Sequence, residues 1–206
     1  MLLKSCYDCK AFGWASTLGT ALLIIDVQQA LFAGELAVFE AARVVDTINI
    51  AIAKARSARV LVVLIQHETD DGQFVYGSPG WQLADGLRVD PGDLRVRKRS
   101  PDSFHKTELK ELLDQHAVDQ LVVCGLQSDF CVDTTTRRAL ALGYPVTLVA
   151  DGHSTARNSV LSAAQISAHH NETLANITSF GPRVRLVPSH ALQFDQRAIG
   201  AAAYDD

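Results

Sequence analysis

The stretch LVVCGLQSDFCVDTTTRRALALG, residues 121–143, decides the fold and divides into a strand and a helix. Its first four residues are apolar and mostly β-branched, which is typical of a parallel strand buried on both faces. Gly125 is expected to end this strand, and Ser128 and Asp129 are residue types that cap helix N-termini. Residues 132–142 are rich in helix formers, so the stretch predicts one strand–turn–helix unit.

Cys131 lies where this predicted strand has ended and the helix begins. The first N–H groups of a helix have no partner within it, and the helix dipole places partial positive charge there. That field is expected to lower the pKa of a thiol and make it nucleophilic near neutral pH. The same N–H groups can hold an oxyanion, so Cys131 is the candidate nucleophile.

The rest of the chain alternates between strand and helix patterns. Five further apolar runs predict strands, at residues 21–26, 60–65, 93–98, 145–150 and 184–187. Helical periodicity or capping predicts helices at residues 39–57, from residue 107, and at 162–177. The alternation predicts a single three-layer α/β domain with a mostly parallel sheet over residues 20–206.

Residues 1–19 differ in character and are predicted to be an N-terminal extension. They contain Cys6 and Cys9 in a CxxC spacing, which can form a redox couple or half of a zinc site. No second CxxC pair exists and no strand precedes this one, so a surface leader is the favoured interpretation.

Composition excludes several classes of function. The 206 residues carry a formal net charge of −4, which gives no electrostatic reason to expect a nucleic-acid or membrane partner. No apolar run is long enough to span a bilayer, and the first residues fit neither a signal nor a transit peptide. We therefore expect a cytoplasmic protein, and four cysteines are too few for a disulfide scaffold.

Three reactive groups fall at the carboxyl ends of predicted strands, where ligands bind in open α/β sheets: Asp26, Lys98 and Cys131. Lys98 shares the apolar side of its strand with Val96, whereas the neighbouring arginines alternate to the other side. Asp26 can take the thiol proton of Cys131 and return it to a leaving amine. Lys98 can stabilise both anions, so the three groups predict nucleophilic catalysis if they converge.

Two other groups of polar residues suggest metal binding less well. The run QHETDD, residues 66–71, is crowded and lacks a converging spacing, so a solvated acidic loop is favoured over a metal site. His169 and His170 are adjacent on a predicted helix and point to different faces, which favours a structural role. The basic run at residues 95–99 is interpreted as a solvated strand edge.

The chain resembles the isochorismatase-like cysteine hydrolases from about residue 20 to about residue 188. The matching pieces, in order, are ALLIIDVQ, RKRSPDSFHKTEL, CGLQSDFCVDTTTRRALALGY and VTLVADGHST. The resemblance implies a flavodoxin-like, three-layer α/β/α sheet of about six strands and a catalytic triad of Asp26, Lys98 and Cys131. It also implies a cis peptide before Gln127, with the amides of Gln127 and Cys131 directed at the oxyanion, and a homodimer or homotetramer.

Departures from the family pattern narrow the expected activity. Nicotinamidases of the family carry an Asp-x-His metal motif where this chain has QHETDD, so no metal and no cofactor are expected. Isochorismatases proper commonly lack the nucleophilic cysteine, whereas Cys131 is present here. The sequence therefore predicts a cysteine hydrolase that cleaves a small-molecule amide or related C–N bond through a Cys131 thioester.

Two alternatives remain open at this point: an isochorismatase-type vinyl-ether hydrolase that uses Asp26, and a non-enzymatic module with Cys131 as an oxidisable sensor thiol. The predicted partner is a small-molecule substrate. The expected walls of its pocket, apart from loops of a neighbouring subunit, are Gln28, Phe32, Trp81, Phe104, Gln127 and Phe130.

Overall fold

The computed structural model describes residues 19–34 and 37–194, which form one sheet flanked by helices. The strands are β1 (Gly19–Ile25), β2 (Leu61–His67), β3 (Leu94–Lys98), β4 (Val118–Leu126), β5 (Val146–Ser154) and β6 (Val184–Val187). The α-helices are α1 (Ala41–Ser57), α2 (Leu109–Gln115), α3 (Asp133–Ala141) and α4 (Ala163–Ala175). The predicted N-terminal extension, with the Cys6–Cys9 pair, lies outside the described residues except for Gly19, which begins β1.

The strands follow the order β3-β2-β1-β4-β5-β6, and every neighbouring pair is parallel. Helix α1 packs against one face, whereas α2, α3 and α4 contribute to a second core on the other face. The predicted three-layer α/β/α fold with a parallel sheet of six strands is therefore confirmed. The strand order reverses between β1 and β4, and such a reversal opens a crevice at the carboxyl ends of those strands.

Strands β4 and β5 are longer than the sequence indicates. Strand β4 does not end at Gly125 but continues to Leu126. Gly125 remains in the sheet, paired with Ile25, and has a φ of +124°. A Cβ at this glycine would lie 2.1 Å from the Ile25 carbonyl oxygen, so only glycine permits the approach. Strand β5 likewise continues past residue 150, and after a register shift His153 pairs with Gly125.

The acidic and basic runs at the sheet edge form ion pairs with each other. Glu68 accepts hydrogen bonds from Arg97 (3.3 Å) and Arg99 (3.1 Å), and Asp70 accepts one from Arg99 (2.7 Å). The interpretation of the basic run as a solvated strand edge is confirmed, since its three arginines are exposed on the edge strand β3. The acidic run is solvated only in part, because the pairing of β2 with β3 buries Gln66 and Glu68. Within the described ranges, no helix is both long and apolar enough to cross a bilayer.

Candidate active site

Asp26 directly follows β1 and turns its side chain into the crevice. Its φ of 51° lies in the left-handed region, which non-glycine residues rarely adopt and which is found at functional sites more often than elsewhere. The Asp26 N–H donates to the Ile65 carbonyl (2.8 Å), which fixes this turn against β2. Oδ2 accepts a hydrogen bond from Lys98, while Oδ1 is buried without a hydrogen-bond partner among the described residues. Oδ1 is therefore free to accept a proton.

Lys98 ends β3 and is buried, with 1% of its surface exposed. Its side chain passes over the end of β2 to reach the far side of the crevice. Nζ lies 2.7 Å from Asp26 Oδ2, 3.2 Å from Cys131 Sγ, 3.3 Å from His67 Nδ1 and 3.1 Å from the Ser100 carbonyl. A buried ammonium needs such partners, and here they bring the three predicted reactive groups together around one positive charge.

Cys131 lies on one π-helical turn, Ser128–Val132, between β4 and α3. The peptide between Leu126 and Gln127 is cis, as the family resemblance implied. The turn places the thiol at the crevice, half-buried, rather than in the core between the sheet and α3.

Ser128 and Asp129 do not cap the helix, contrary to their interpretation from sequence. The Ser128 hydroxyl contacts His153 Nδ1 (2.8 Å) and Ser167 Oγ (2.9 Å), and Asp129 Oδ1 accepts from Thr155 Oγ1 (2.5 Å). Both side chains therefore tie the Cys131 turn to β5 and α4, because the π-helical turn directs them away from the helix N-terminus.

The pKa of the Cys131 thiol is raised, although the helix start was expected to lower it. Burial raises the pKa of the Cys131 thiol, the Asp26 charge raises it further, and Lys98 only partly opposes them. Burial lowers the pKa of Lys98, but Asp26 and Cys131 outweigh it and leave that pKa above its ordinary value. These surroundings favour the protonated form of the Cys131 thiol.

Three of the described residues have potential metal-ligand atoms that lie close together in this site. One ligand atom each from Asp26, His67 and Cys131 lie within 4.8 Å of one another. However, Lys98 Nζ lies within 3.3 Å of each of these side chains. The ammonium therefore supplies the positive charge at this position, and a divalent cation would have to displace it.

A cavity of about 220 Å³ opens beside the thiol. Apolar side chains form much of its wall, and polar groups lie near the reactive atoms. The lining residues are Asp26, Leu31, His67, Phe74, Pro101, Gln127, Phe130 and Cys131. Phe130 is 53% exposed and stands at the opening. Gln127 and Phe130 are thus located as the sequence predicted, beside the candidate nucleophile.

Four predicted binding residues do not line this cavity. Gln28 is fully buried, and its amide bonds with the backbone of His67 and Trp81. Trp81 packs edge-on against Tyr76 instead. Phe32 packs on the core beneath α1, and Phe104 is buried in the opposite core, stacked on Tyr144. Proximity in sequence to the strand ends did not specify which way these side chains point.

Sequence reasoning missed His67, together with the cavity residues Leu31, Phe74 and Pro101. His67 ends β2, and β2 lies between β1 and β3 in the sheet. Its position between Asp26 and Lys98 follows from that strand order, which the sequence pattern alone did not supply. The signal available in the sequence was the position of His67 at the end of a buried strand. The acidic residues beside it favoured its interpretation as part of a solvated loop instead.

Comparison with known proteins agrees with this fold and geometry. The sequence-family model of the isochorismatase domain matches residues 20–179, so the chain belongs to the isochorismatase family. Streptothricin hydrolase of Streptomyces noursei is 45% identical over 138 residues, which cover 66% of this chain and 49% of that protein. The chain spans about half the length of the two streptothricin hydrolases that it matches.

Two further relatives extend the comparison. Ureidoacrylate amidohydrolase RutB of Caulobacter vibrioides is 28% identical over 169 residues, covering 64% of this chain and 75% of that protein. The crystal structure of an isochorismatase from Pseudomonas putida superposes with a TM-score of 0.78 at 30% identity. That match covers 84% of this chain and 89% of the other, so the similarity in fold includes most of both molecules.

Proposed function

We propose that this protein is a cysteine hydrolase that cleaves a small-molecule amide or related C–N bond through a thioester on Cys131. The observation that carries the proposal is the position of Lys98 Nζ, 2.7 Å from Asp26 Oδ2 and 3.2 Å from Cys131 Sγ beside a cavity. The names of the streptothricin hydrolase and ureidoacrylate amidohydrolase relatives support hydrolysis, and the second supports an amide substrate.

In the proposed first half-reaction, Asp26 takes the thiol proton while the sulfur attacks the substrate carbonyl. Negative charge then develops on the carbonyl oxygen, for which the main-chain amides of Gln127 and Cys131 are the candidate donors. Collapse of this intermediate breaks the C–N bond, and Asp26 gives its proton to the departing nitrogen. Lys98 stabilises whichever of Asp26 and Cys131 is negatively charged at each stage.

In the second half-reaction, a water molecule gives one proton to Asp26 and attacks the thioester carbonyl. The C–S bond breaks, the acid product leaves, and the sulfur recovers its proton from Asp26. The thiol begins and ends protonated, which agrees with the direction in which burial and Asp26 shift the pKa of Cys131.

Turnover of a substrate panel tests the proposal. The panel contains streptothricin, ureidoacrylate, simple aromatic and aliphatic amides, and isochorismate. We expect an amide to be hydrolysed and mass spectrometry of quenched reactions to find the acyl group on Cys131. Hydrolysis of isochorismate that survives Cys131→Ala but not Asp26→Asn would instead establish the vinyl-ether alternative. Reversible oxidation of Cys131 without turnover of any compound would favour the sensor alternative.

A homodimer or homotetramer remains part of the proposal. Phe130 and Phe39 expose 53% and 45% of their surfaces. Their segments meet at Thr155, whose carbonyl accepts a hydrogen bond from the Phe39 N–H and whose hydroxyl donates one to Asp129, next to Phe130. Exposed aromatic rings are suited to contact with a second subunit, and Phe130 also lines the cavity. Light scattering coupled to size-exclusion chromatography measures the assembly, and a monomer at micromolar concentration contradicts it.

A further inference from the structure

The imidazole of His67 has one ring nitrogen whose role the structure fixes. Nδ1 lies 3.3 Å from Lys98 Nζ. This is the longest of four contacts around an ammonium group that has three protons. An Nδ1–H directed at the ammonium would place two positive hydrogens face to face, so the geometry favours the Nδ1 lone pair toward Lys98. In a neutral imidazole the proton is then on the other nitrogen, Nε2. The contact with Lys98 therefore selects the Nε2–H tautomer of His67.

The surroundings of the ring also favour its neutral form. Burial lowers the pKa of His67, the Lys98 charge lowers it further, and the charges of Asp26 and Glu68 only partly oppose this. A second positive charge beside the Lys98 ammonium is unfavourable, which agrees with the geometry. At neutral pH His67 is thus an uncharged donor through Nε2.

That donor has no assigned partner in the protein. Among the described residues, the hydrogen bond of the His67 ring is the one that Nδ1 accepts from Lys98. The ring lines the cavity beside Cys131 and meets Phe74 edge-on at 5.7 Å between centroids. A polar N–H on a cavity wall beside apolar side chains is suited to an acceptor on a ligand.

The backbone of His67 is held in place by the segment that follows β1. The buried Gln28 accepts from the His67 N–H (2.7 Å) and donates to the His67 carbonyl (3.0 Å). The same amide nitrogen donates to the Trp81 carbonyl (2.9 Å). Gln28 therefore acts on the cavity through His67, which gives a role to a residue that does not itself line the wall.

We propose that His67 binds the substrate as a neutral hydrogen-bond donor, through Nε2–H, to an oxygen acceptor beside the scissile bond. This inference rests on the proposed function and defines its substrate class. The apolar walls, Leu31, Phe74, Pro101 and Phe130, suit a compact acyl group without charge. The site is therefore selective for small, uncharged amides that carry an apolar or aromatic acyl group.

The first test needs no turnover. The full chain with Cys131→Ala, labelled with ¹⁵N-histidine, is titrated with benzamide and followed by NMR spectroscopy at pH 7.5. We expect His67 to show the Nε2–H tautomer and its Nε2 proton to shift on binding, while the signals of exposed His105 do not move. An Nδ1–H tautomer, an imidazolium ion or an unchanged Nε2 proton at saturating benzamide overturns the proposal.

Variants of His67 provide the second test, again by benzamide affinity. His67→Phe keeps an aromatic ring against Phe74 but has no donor, so we expect binding roughly ten-fold weaker. His67→Gln keeps an N–H at similar reach and is expected to bind within about three-fold of the parent. His105→Phe is the matched control without effect. Equal affinities of the Phe and Gln variants contradict the proposal, even if the chain hydrolyses amides.

The two proposals can fail separately. If the wild-type chain hydrolyses no compound of the panel but His67 shows the expected tautomer and benzamide pattern, the cysteine-hydrolase mechanism fails and the binding role of His67 stands. If amides are hydrolysed and His67→Phe leaves KM and kcat unchanged, the mechanism stands and the role of His67 is wrong.

Discussion

Strand β4 and the turn after it carry two cysteines whose thiols both have a raised pKa but whose burial and surroundings differ. Cys124 is fully buried in the core against α1, and its sulfur contacts the Leu23 carbonyl at 3.7 Å. Cys131 is half-buried at the strand end, with Lys98 Nζ 3.2 Å from its sulfur. Burial raises the pKa of both thiols. A raised pKa therefore does not distinguish an inert thiol from a candidate nucleophile.

The difference lies in what surrounds each sulfur. Cys131 and Asp26 both contact the buried ammonium of Lys98, which places a carboxylate close to the protonated thiol. That proton can move from sulfur to carboxylate when a carbonyl is attacked. The helix start, which from sequence was expected to lower the thiol pKa, is outweighed by desolvation and by the Asp26 charge. In the proposed mechanism, acid–base partners rather than an acidic thiol therefore make Cys131 the nucleophile.

The largest effect is expected from exchanging each cysteine for alanine. Cys131→Ala removes the proposed nucleophile, so we expect kcat to fall by at least about 10³-fold with little change in stability. Cys124→Ala leaves a small cavity in the core, so we expect a loss of about 1 kcal/mol in the free energy of unfolding and unchanged kcat. Steady-state kinetics and urea unfolding measure both. Equal loss of activity in the two variants breaks the comparison.

Removal of the ammonium sharpens the comparison, because Cys124 has no such neighbour. Lys98→Met is expected to lower kcat by about 10²-fold or more. It leaves the Asp26 carboxylate buried and unpaired, so we also expect a loss of about 3–5 kcal/mol in the free energy of unfolding. Adding Asp26→Asn to Lys98→Met should restore much of that stability but no activity. A double variant as unstable as Lys98→Met contradicts the charge-pair account.

Alkylation by iodoacetamide in the folded state separates the two thiols by access. Peptide mapping is expected to find modified Cys131 and no modified Cys124, because only Cys131 lines the cavity. The raised pKa of Cys131 means that less thiolate is present at neutral pH than in free cysteine, so its alkylation rate should still rise above pH 9. A rate that is already constant at pH 7 would show that the helix field and Lys98 dominate after all.

The smallest effect concerns pH and the support under the Cys131 turn. Burial lowers the pKa of His153, which bonds to Ser128 and to Asn171 Oδ1 (2.9 Å). Below about pH 6.5 the unfolded chain therefore binds protons that the folded chain does not, and stability falls as the pH falls. We expect the melting temperature to drop from pH 7.5 to pH 5, and less steeply in His153→Gln. The exposed His105→Gln is the control, and an unchanged slope in His153→Gln contradicts this.

The order of strands and helices and the identity of the triad candidates were predictable because they depend on local pattern. Apolar runs defined the strands, and Asp26, Lys98 and Cys131 stood out as reactive residues at their ends. Residues whose side-chain direction depends on tertiary contacts were predicted poorly. Gln28 and Phe104 are interior residues, whereas His67 and Phe74 line the cavity.

Sequence by itself thus determined a parallel α/β sheet, its two apolar faces and the residues at its carboxyl edge, because burial imposes those patterns directly on the chain. Tertiary structure alone decided the strand order that places β2 between β1 and β3, and with it the contact of His67 with Lys98. It also decided the direction of the Cys131 pKa shift, since desolvation and the distances between charges exist only once strands distant in sequence are neighbours.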